Sequence, residues 1–225
     1  MSESYMEKVT CPYCHIQHEF KKWKLIDQGT DPELGDEIRS GEIFKFVCPS
    51  CKSDYDMNYP FVYHEPENRL LIMYANNRDD YEKAKLMLNG EVQSEMEAVN
   101  EILSRDGYKK RLVFGREEFY EKLLLFDRSL DDGVMEIVKL VYGQNLARTQ
   151  SEDLFDSIRY FKDDEKDEGV FYLMKDGQRV GKVNIDNKIY DWVISTYFDR
   201  IVEKLSHDFI VNFYWALDIV QGKEQ

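Results

Sequence analysis

The chain has 225 residues, enough for one large or two small domains that each bury a core. Hydrophobic residues at 43% and charged residues at 33% exclude a disordered chain. A formal net charge of −14 works against binding a phosphate backbone, so nucleic acid is a poor partner without a local basic face.

The residues Met1 to Lys8 hold no apolar signal core, and the greasiest run, Phe209 to Val220, is broken by Asn212 and Asp218. It is too short and too polar for a bilayer, which takes about 20 apolar residues. The expected setting is the cytoplasm, with no membrane partner. Fifteen Tyr and thirteen Phe predict ring-rich cores.

In chain order, a short strand should precede Cys11, and a second strand carrying Ile16, His18 and Phe20 should return from the turn after it. Asp31-Pro32-Glu33-Leu34 predicts a helix to about Ser40, with Asp31 as N-cap, Pro32 in the first turn and Gly41 as its end. Glu42 to Val47 reads as a strand into Cys48, Tyr55 to Tyr63 as a strand away from Cys51, and Arg69 to Ala75 as another after the turn Glu65 to Asn68. The polar run Asn76 to Asp80 suggests a domain boundary, dividing the chain into residues 1–75 and 76–225.

Tyr81 to Ser104 is helical in pattern with a break at Asn89-Gly90, and Leu112 to Phe114 is a short strand. Phe119, Leu123, Phe126 and Leu130 form one helical stripe, and Val134, Ile137, Val138 and Val141 a second. Asp131-Asp132-Gly133 joins them into a helical hairpin. Asp176-Gly177 between Phe171–Met174 and Val180–Val183 is a two-residue β-hairpin signal. Helices are expected over Asp186 to Leu205 and Asp208 to Val220, with an acidic loop at Asp163 to Glu168. The fold class is therefore α+β: an N-terminal zinc-ribbon-like β module, then a helix-rich domain with a β-hairpin.

All four cysteines fall in two pairs, Cys11-Pro12-Tyr13-Cys14 and Cys48-Pro49-Ser50-Cys51. In a reducing compartment such pairs point to metal or redox work. Four thiolates at about 2.3 Å complete a tetrahedral structural zinc site, and the proline in each pair bends the chain so that following N–H groups can face sulfur. The 33 residues between Cys14 and Cys48 leave room for an inserted short helix. After each second cysteine such turns commonly place a glycine in the left-handed conformation; here stand His15 and Lys52, at a cost of roughly 1–2 kcal/mol each. That is small beside the ~10–16 kcal/mol of apparent zinc affinity available to such peptides.

Cys-Pro-Tyr-Cys also matches a glutaredoxin-type dithiol, but no later proline sits in a fitting loop and the second pair would have no work. Cys11 to His15 spells the c-type haem pattern, which belongs in exported proteins. His15 and His18 compete with four thiolates and read as surface residues.

Together with Asp31 to Leu34, Gly41 to Phe44 and Tyr59 to His64, the two Cys-Pro-x-Cys motifs resemble the CpXC family over about residues 7–75. The segment Asp131 to Lys139 resembles, more faintly, the helical part that follows in that family. These are bacterial and archaeal proteins with a zinc-ribbon-like domain of unknown function. The resemblance implies a metal site at Cys11, Cys14, Cys48 and Cys51 and supplies no activity.

Other constellations have plain readings beside functional ones. Asp127, Asp131, Asp132 and Glu136 could gather a magnesium ion, or Asp131 or Asp132 could cap a helix. Ser206-His207-Asp208 has triad letters whose adjacent side chains cannot converge; a cap on the last helix is the reading. His64 is a catalytic base or a hydrogen-bonded structural histidine. Lys21-Lys22-Trp23-Lys24 is basic with an aromatic, yet residues 1–75 hold eight Lys and Arg against thirteen Asp and Glu. Phe209, Phe213, Tyr214 and Trp215 should serve the core.

The first reading of function is a non-catalytic zinc-binding protein acting through contacts with a protein partner, self-association included. The alternatives are an enzyme with its site in the C-terminal domain, or a dithiol redox protein.

Overall fold

The structure, a computed structural model, describes residues 1–149, 154–163 and 165–222. It divides into two compact units, Met1–Phe119 and Tyr120–Gln225. The architecture is α+β, as the sequence pattern implies.

The first unit is built on a five-stranded sheet of β1 (Glu3–Thr10), β2 (Gln17–Asp27), β5 (Phe61–Glu65), β6 (Leu70–Ala75) and β7 (Lys109–Phe114), in that order. β3 (Lys45–Val47) and β4 (Asp54–Asp56) form a separate two-stranded ribbon. β5 and β6 are buried along their whole length, which is why their sequences run apolar without alternation. β2 leads a divided life. Its first part pairs only with β1, and only Leu25, Ile26 and Asp27 pair with β5, in parallel.

α1 (Pro32–Ser40) ends where Gly41 takes a left-handed conformation at φ 83°. Asp31 precedes it without capping it; its carboxylate accepts instead from the Ser2 N–H and the Thr30 hydroxyl. Glu42–Phe44 is a 3₁₀ turn, so the strand expected from Glu42 begins only at Lys45. α2 (Arg78–Leu88) and α3 (Glu97–Leu103) flank the expected break at Asn89-Gly90. The polar run at Asn76 to Asp80 is a helix start, with the Asn77 side chain accepting from the Asp80 N–H. Because β7 adds to the sheet beside β6, the first compact unit continues to Phe119, beyond the boundary at residue 75 suggested by polarity. Its core is a mesh of rings, with Phe44, Tyr59, Phe61, Tyr74 and Phe119 at centroid distances of 5.0–6.1 Å.

α4 (Arg116–Asp127) carries Phe119 in the first unit and its remaining turns in the second. The second unit contains α5 (Asp132–Thr149), α6 (Asn187–Leu205) and α7 (Phe213–Gln221) with an antiparallel sheet in the order β10-β9-β8. The strands are β8 (Ser157–Lys162), β9 (Gly169–Lys175) and β10 (Gln178–Asn184). Asp176 and Gly177 turn between the last two with φ of 51° and 74°, the paired positive angles of a type I′ hairpin. β8 was not anticipated; its buried Tyr160 is the only fully inward position of a short strand, too little alternation to announce itself.

The last helix starts later than expected, at Phe213, because Asn212 caps it through the Tyr214 and Trp215 N–H groups. Ser206 closes α6 instead, and Asp208 lies in the connection between the helices. Trp215, Ala216 and Ile219 enter the core, whereas Phe213 and Tyr214 are exposed. Of the acidic loop, Asp164 lies outside the described residues. Among the described residues, no helix is long and apolar enough to cross a membrane.

Candidate metal centre

Two hairpin-like turns, each built locally, bring the cysteines together. In the first, the Cys11 N–H donates to the Ile16 carbonyl and the His15 N–H to the Cys11 carbonyl, at 3.1 and 2.9 Å. In the second, the Cys48 N–H donates to the Ser53 carbonyl and the Lys52 N–H to the Cys48 carbonyl, both at 2.9 Å. Both turns need a left-handed residue after the second cysteine, and His15 and Lys52 adopt it at φ 60° and 64°. β1 and β2 hold the first turn, β3 and β4 the second.

The four sulfurs lie within 4.8 Å of one another. Across the turns, Cys11 Sγ is 3.7 Å from Cys51 Sγ and Cys14 Sγ is 3.6 Å from Cys48 Sγ. A tetrahedron of thiolates at about 2.3 Å from a central ion has edges of about 3.8 Å, so the two cross-turn spacings match such a site and the set could hold a metal ion. Among the described residues, no other group of three or more His, Cys, Asp or Glu side chains gathers in this way.

Cys11 and Cys48 are buried, Cys14 is half-buried and Cys51 is exposed. Cys11, Cys14 and Cys48 sit in a small cluster with Val9, Phe20, Phe46, Tyr55 and Met57. Phe46 and Phe20 then connect by ring contacts to Tyr59 and so to the core of the unit. The site is thus the end of the hydrophobic core, not a pendant loop.

The thiols already differ in acidity. Hydrogen bonds from the Ser53 side chain and backbone N–H pull Cys51 down to about 6. Cys14 receives the Ile16 N–H, which favours its thiolate, yet burial and hydrogen bonds to Cys48, Cys11 and Cys51 push it up to about 12. Four crowded thiols cannot all ionise by themselves; a dication would let them. The backbone donors at Ile16 and Ser53 occupy equivalent places, two residues beyond each second cysteine.

The other singled-out residues divide clearly. His15 and His18 stay outside the sulfur cluster; His18 Nε2 meets Ser50 Oγ at 3.1 Å. His64 is almost fully buried, with Nδ1 3.3 Å from Asp27 Oδ1 and Nε2 3.2 Å from the Tyr108 hydroxyl, its ring stacked on Tyr108. Lys21 lies over the Trp23 ring and Lys24 over Tyr5, while Lys22 is buried and paired with Glu7 at 2.9 Å. That basic run is therefore spread over its own chain's rings and carboxylate.

Asp131 caps α5 by accepting from the Val134 N–H at 3.0 Å. Asp132 and Glu136 hold no place for a cation from outside, because Lys122 supplies one. Its Nζ lies 3.0 Å from Asp132 and 3.3 Å from Glu136, and donates to the Val211 carbonyl at 2.7 Å. Lys139 bridges Glu136 and Glu121 at 2.8 and 2.9 Å, and Arg159 reaches Glu121 at 2.9 Å. Three cations and three carboxylates balance in a mostly buried network. Sequence reasoning missed Lys122; its position three residues after Phe119, on the apolar stripe, was the available signal.

A family model described as CpXC protein matches residues 9–139, more than half of the chain and all four cysteines. No curated protein and no solved structure matches it.

Proposed function

Since the chain belongs to the CpXC family, whose match spans both cysteine turns, we propose that it is a non-catalytic zinc-binding protein that works by contact with other proteins in the cytoplasm. One zinc ion bound by Cys11, Cys14, Cys48 and Cys51 cross-links the β1–β2 and β3–β4 hairpins, which share no strand ladder. The observation that carries the reading is the cluster itself: two separately formed turns converge on sulfur spacings of 3.6 and 3.7 Å. A dithiol enzyme would need one exposed pair and would leave the second without a role. Four thiolates saturate tetrahedral zinc and leave no position for a substrate or an activated water, so the ion acts on architecture.

Metal analysis of the purified protein tests this directly. The expected result is about one zinc per chain, released together with loss of the first unit's fold, and lost from a Cys48→Ser variant. A folded, metal-free protein with four readily titrated thiols would overturn the reading in favour of dithiol chemistry.

A further inference from the structure

The outer edge of the five-stranded sheet is an unpaired strand. β1 ends the order, so one side of its backbone meets β2 and, among the described residues, no strand pairs with the other. Register identifies the free groups. The Cys11 N–H donates to the Ile16 carbonyl, which sets the bonded phase, and pairing continues unbroken from Thr10 opposite Gln17 to Ser4 opposite Trp23. Bonded and non-bonded pairs alternate along an antiparallel ladder. Val9, Glu7 and Tyr5 therefore bond to β2, and the N–H and C=O groups of Ser4, Met6 and Lys8 point away from the sheet.

Edge strands are usually blunted by shortness, proline, a bulge or charged side chains, and β1 carries charges at Glu3, Glu7 and Lys8. β1 has eight residues, no proline, and its one irregularity falls at its very start, between Glu3 and Ser4. Only Val9 is buried, and Met6 is 55% exposed. This is a surface ready to take another strand.

We propose that β1 pairs antiparallel with β1 of a second copy about a two-fold axis at Met6, fusing two sheets into one. Outward-pointing residues must face outward-pointing residues, which places the axis on a residue and not between two. An axis at Tyr5 sets Glu3 against Glu7, one at Glu7 sets Glu7 against itself, and one at Lys8 sets Lys8 against itself. The Met6 register opposes no like charges. It stacks Met6 on Met6, places Ser4 opposite Lys8 and sets the Tyr5 phenol opposite the Glu7 carboxylate. Ser4, Met6 and Lys8 of each copy then exchange about six backbone hydrogen bonds. The strand is self-complementary, which favours a second copy over a peptide of other sequence.

This inference narrows the protein-contact reading to one surface, and zinc content measured on the same fractions separates failure of the one from failure of the other. Light scattering of the full chain should give twice 26.8 kDa at micromolar concentration. Met6→Glu, which puts two carboxylates on the axis, should return it to a monomer with unchanged zinc and circular dichroism. Bonded pairs have Cα atoms about 5.5 Å apart, within disulfide reach. Met6→Cys should therefore cross-link to itself under mild disulfide exchange, and a mixture of Ser4→Cys and Lys8→Cys chains should cross-link although neither does so alone. A monomer at every concentration, a dimer that survives Met6→Glu, or self-cross-linking of Ser4→Cys would overturn the proposal.

Discussion

Replacing Lys122 by Met keeps much of the side chain's shape and removes its charge, so it isolates what the buried ammonium does. Lys122 and Asp132 are each 1% exposed, and the three acceptors around Nζ use all three of its protons. In the variant, Asp132 loses its neutralising neighbour and the Val211 carbonyl loses its donor, while Glu136 keeps Lys139. Removing one partner of a buried ion pair costs about 3–5 kcal/mol, because the charge left behind stays out of water. A unit of this size has roughly 5–15 kcal/mol in total. With a urea slope of about 1–1.5 kcal/mol per molar, the unfolding midpoint should fall by about 2–5 M. Trp215, buried in the core of the same unit, reports the transition by fluorescence. Lowering the pH from 7 to 5 should narrow the gap between variant and wild type, because protonating a buried carboxylate that has lost the ammonium removes its charge. A midpoint shift below about 0.5 M, or a gap that widens in acid, would show that Lys122 is not the internal counter-ion.

Four further outcomes follow from the same structure. His15→Gly and Lys52→Gly should each relieve left-handed strain, partly offset by the greater flexibility of unfolded glycine, for a gain of about 1 kcal/mol or ~5-fold in zinc affinity by chelator competition; weaker binding would refute the strain assignment. His64 is held below its usual pKa first by burial, against the opposing pull of Asp27. The unfolded chain then binds more protons than the folded one, so this contribution is complete above about pH 6.5 and is lost as pH falls toward the folded value. A His64→Asn variant should therefore show a flatter thermal midpoint between pH 7 and 5.5. Glu121 is depressed in spite of burial, by Lys139, Arg159 and the Tyr160 N–H, so its share of stability should be full above about pH 4.5 and vanish below, an effect missing from acid titrations of Glu121→Gln. Asn212→Ala should cost about 1 kcal/mol through loss of the α7 cap, seen in urea melts.

The cysteine cluster was legible because its two turns are local. Each Cys-Pro-x-Cys turn is specified by four consecutive residues and the one that follows, so even the left-handed strain at His15 and Lys52 could be anticipated from the missing glycines. Gly41 and Asp176-Gly177 were readable for the same reason, since backbone angles open to few residues leave a chemical signature. Long-range pairing was not. Nothing near Asn76 announces that β7, some thirty residues later, will complete the sheet, and polarity alone made a helix cap look like a boundary. Asp132 and Glu136 pointed to a charged site, but their partner Lys122 comes from a different helix. Asp31 and Ser206 show the remaining difficulty: a residue with the right chemistry for a cap was drawn elsewhere, by Ser2 and Thr30 in one case and by the end of the preceding helix in the other.

The divided pairing of β2 makes that strand a graduated scale. Leu25 to Asp27 are paired to the central strand β5, Leu25 to β1 as well, and should exchange their amide hydrogens only when the whole sheet opens. Gln17 to Phe20 pair with β1 alone, next to the cysteine turns, and on the proposed zinc reading should open whenever the ion departs. Protection read residue by residue along eleven positions of one strand would thus distinguish loss of zinc from loss of fold.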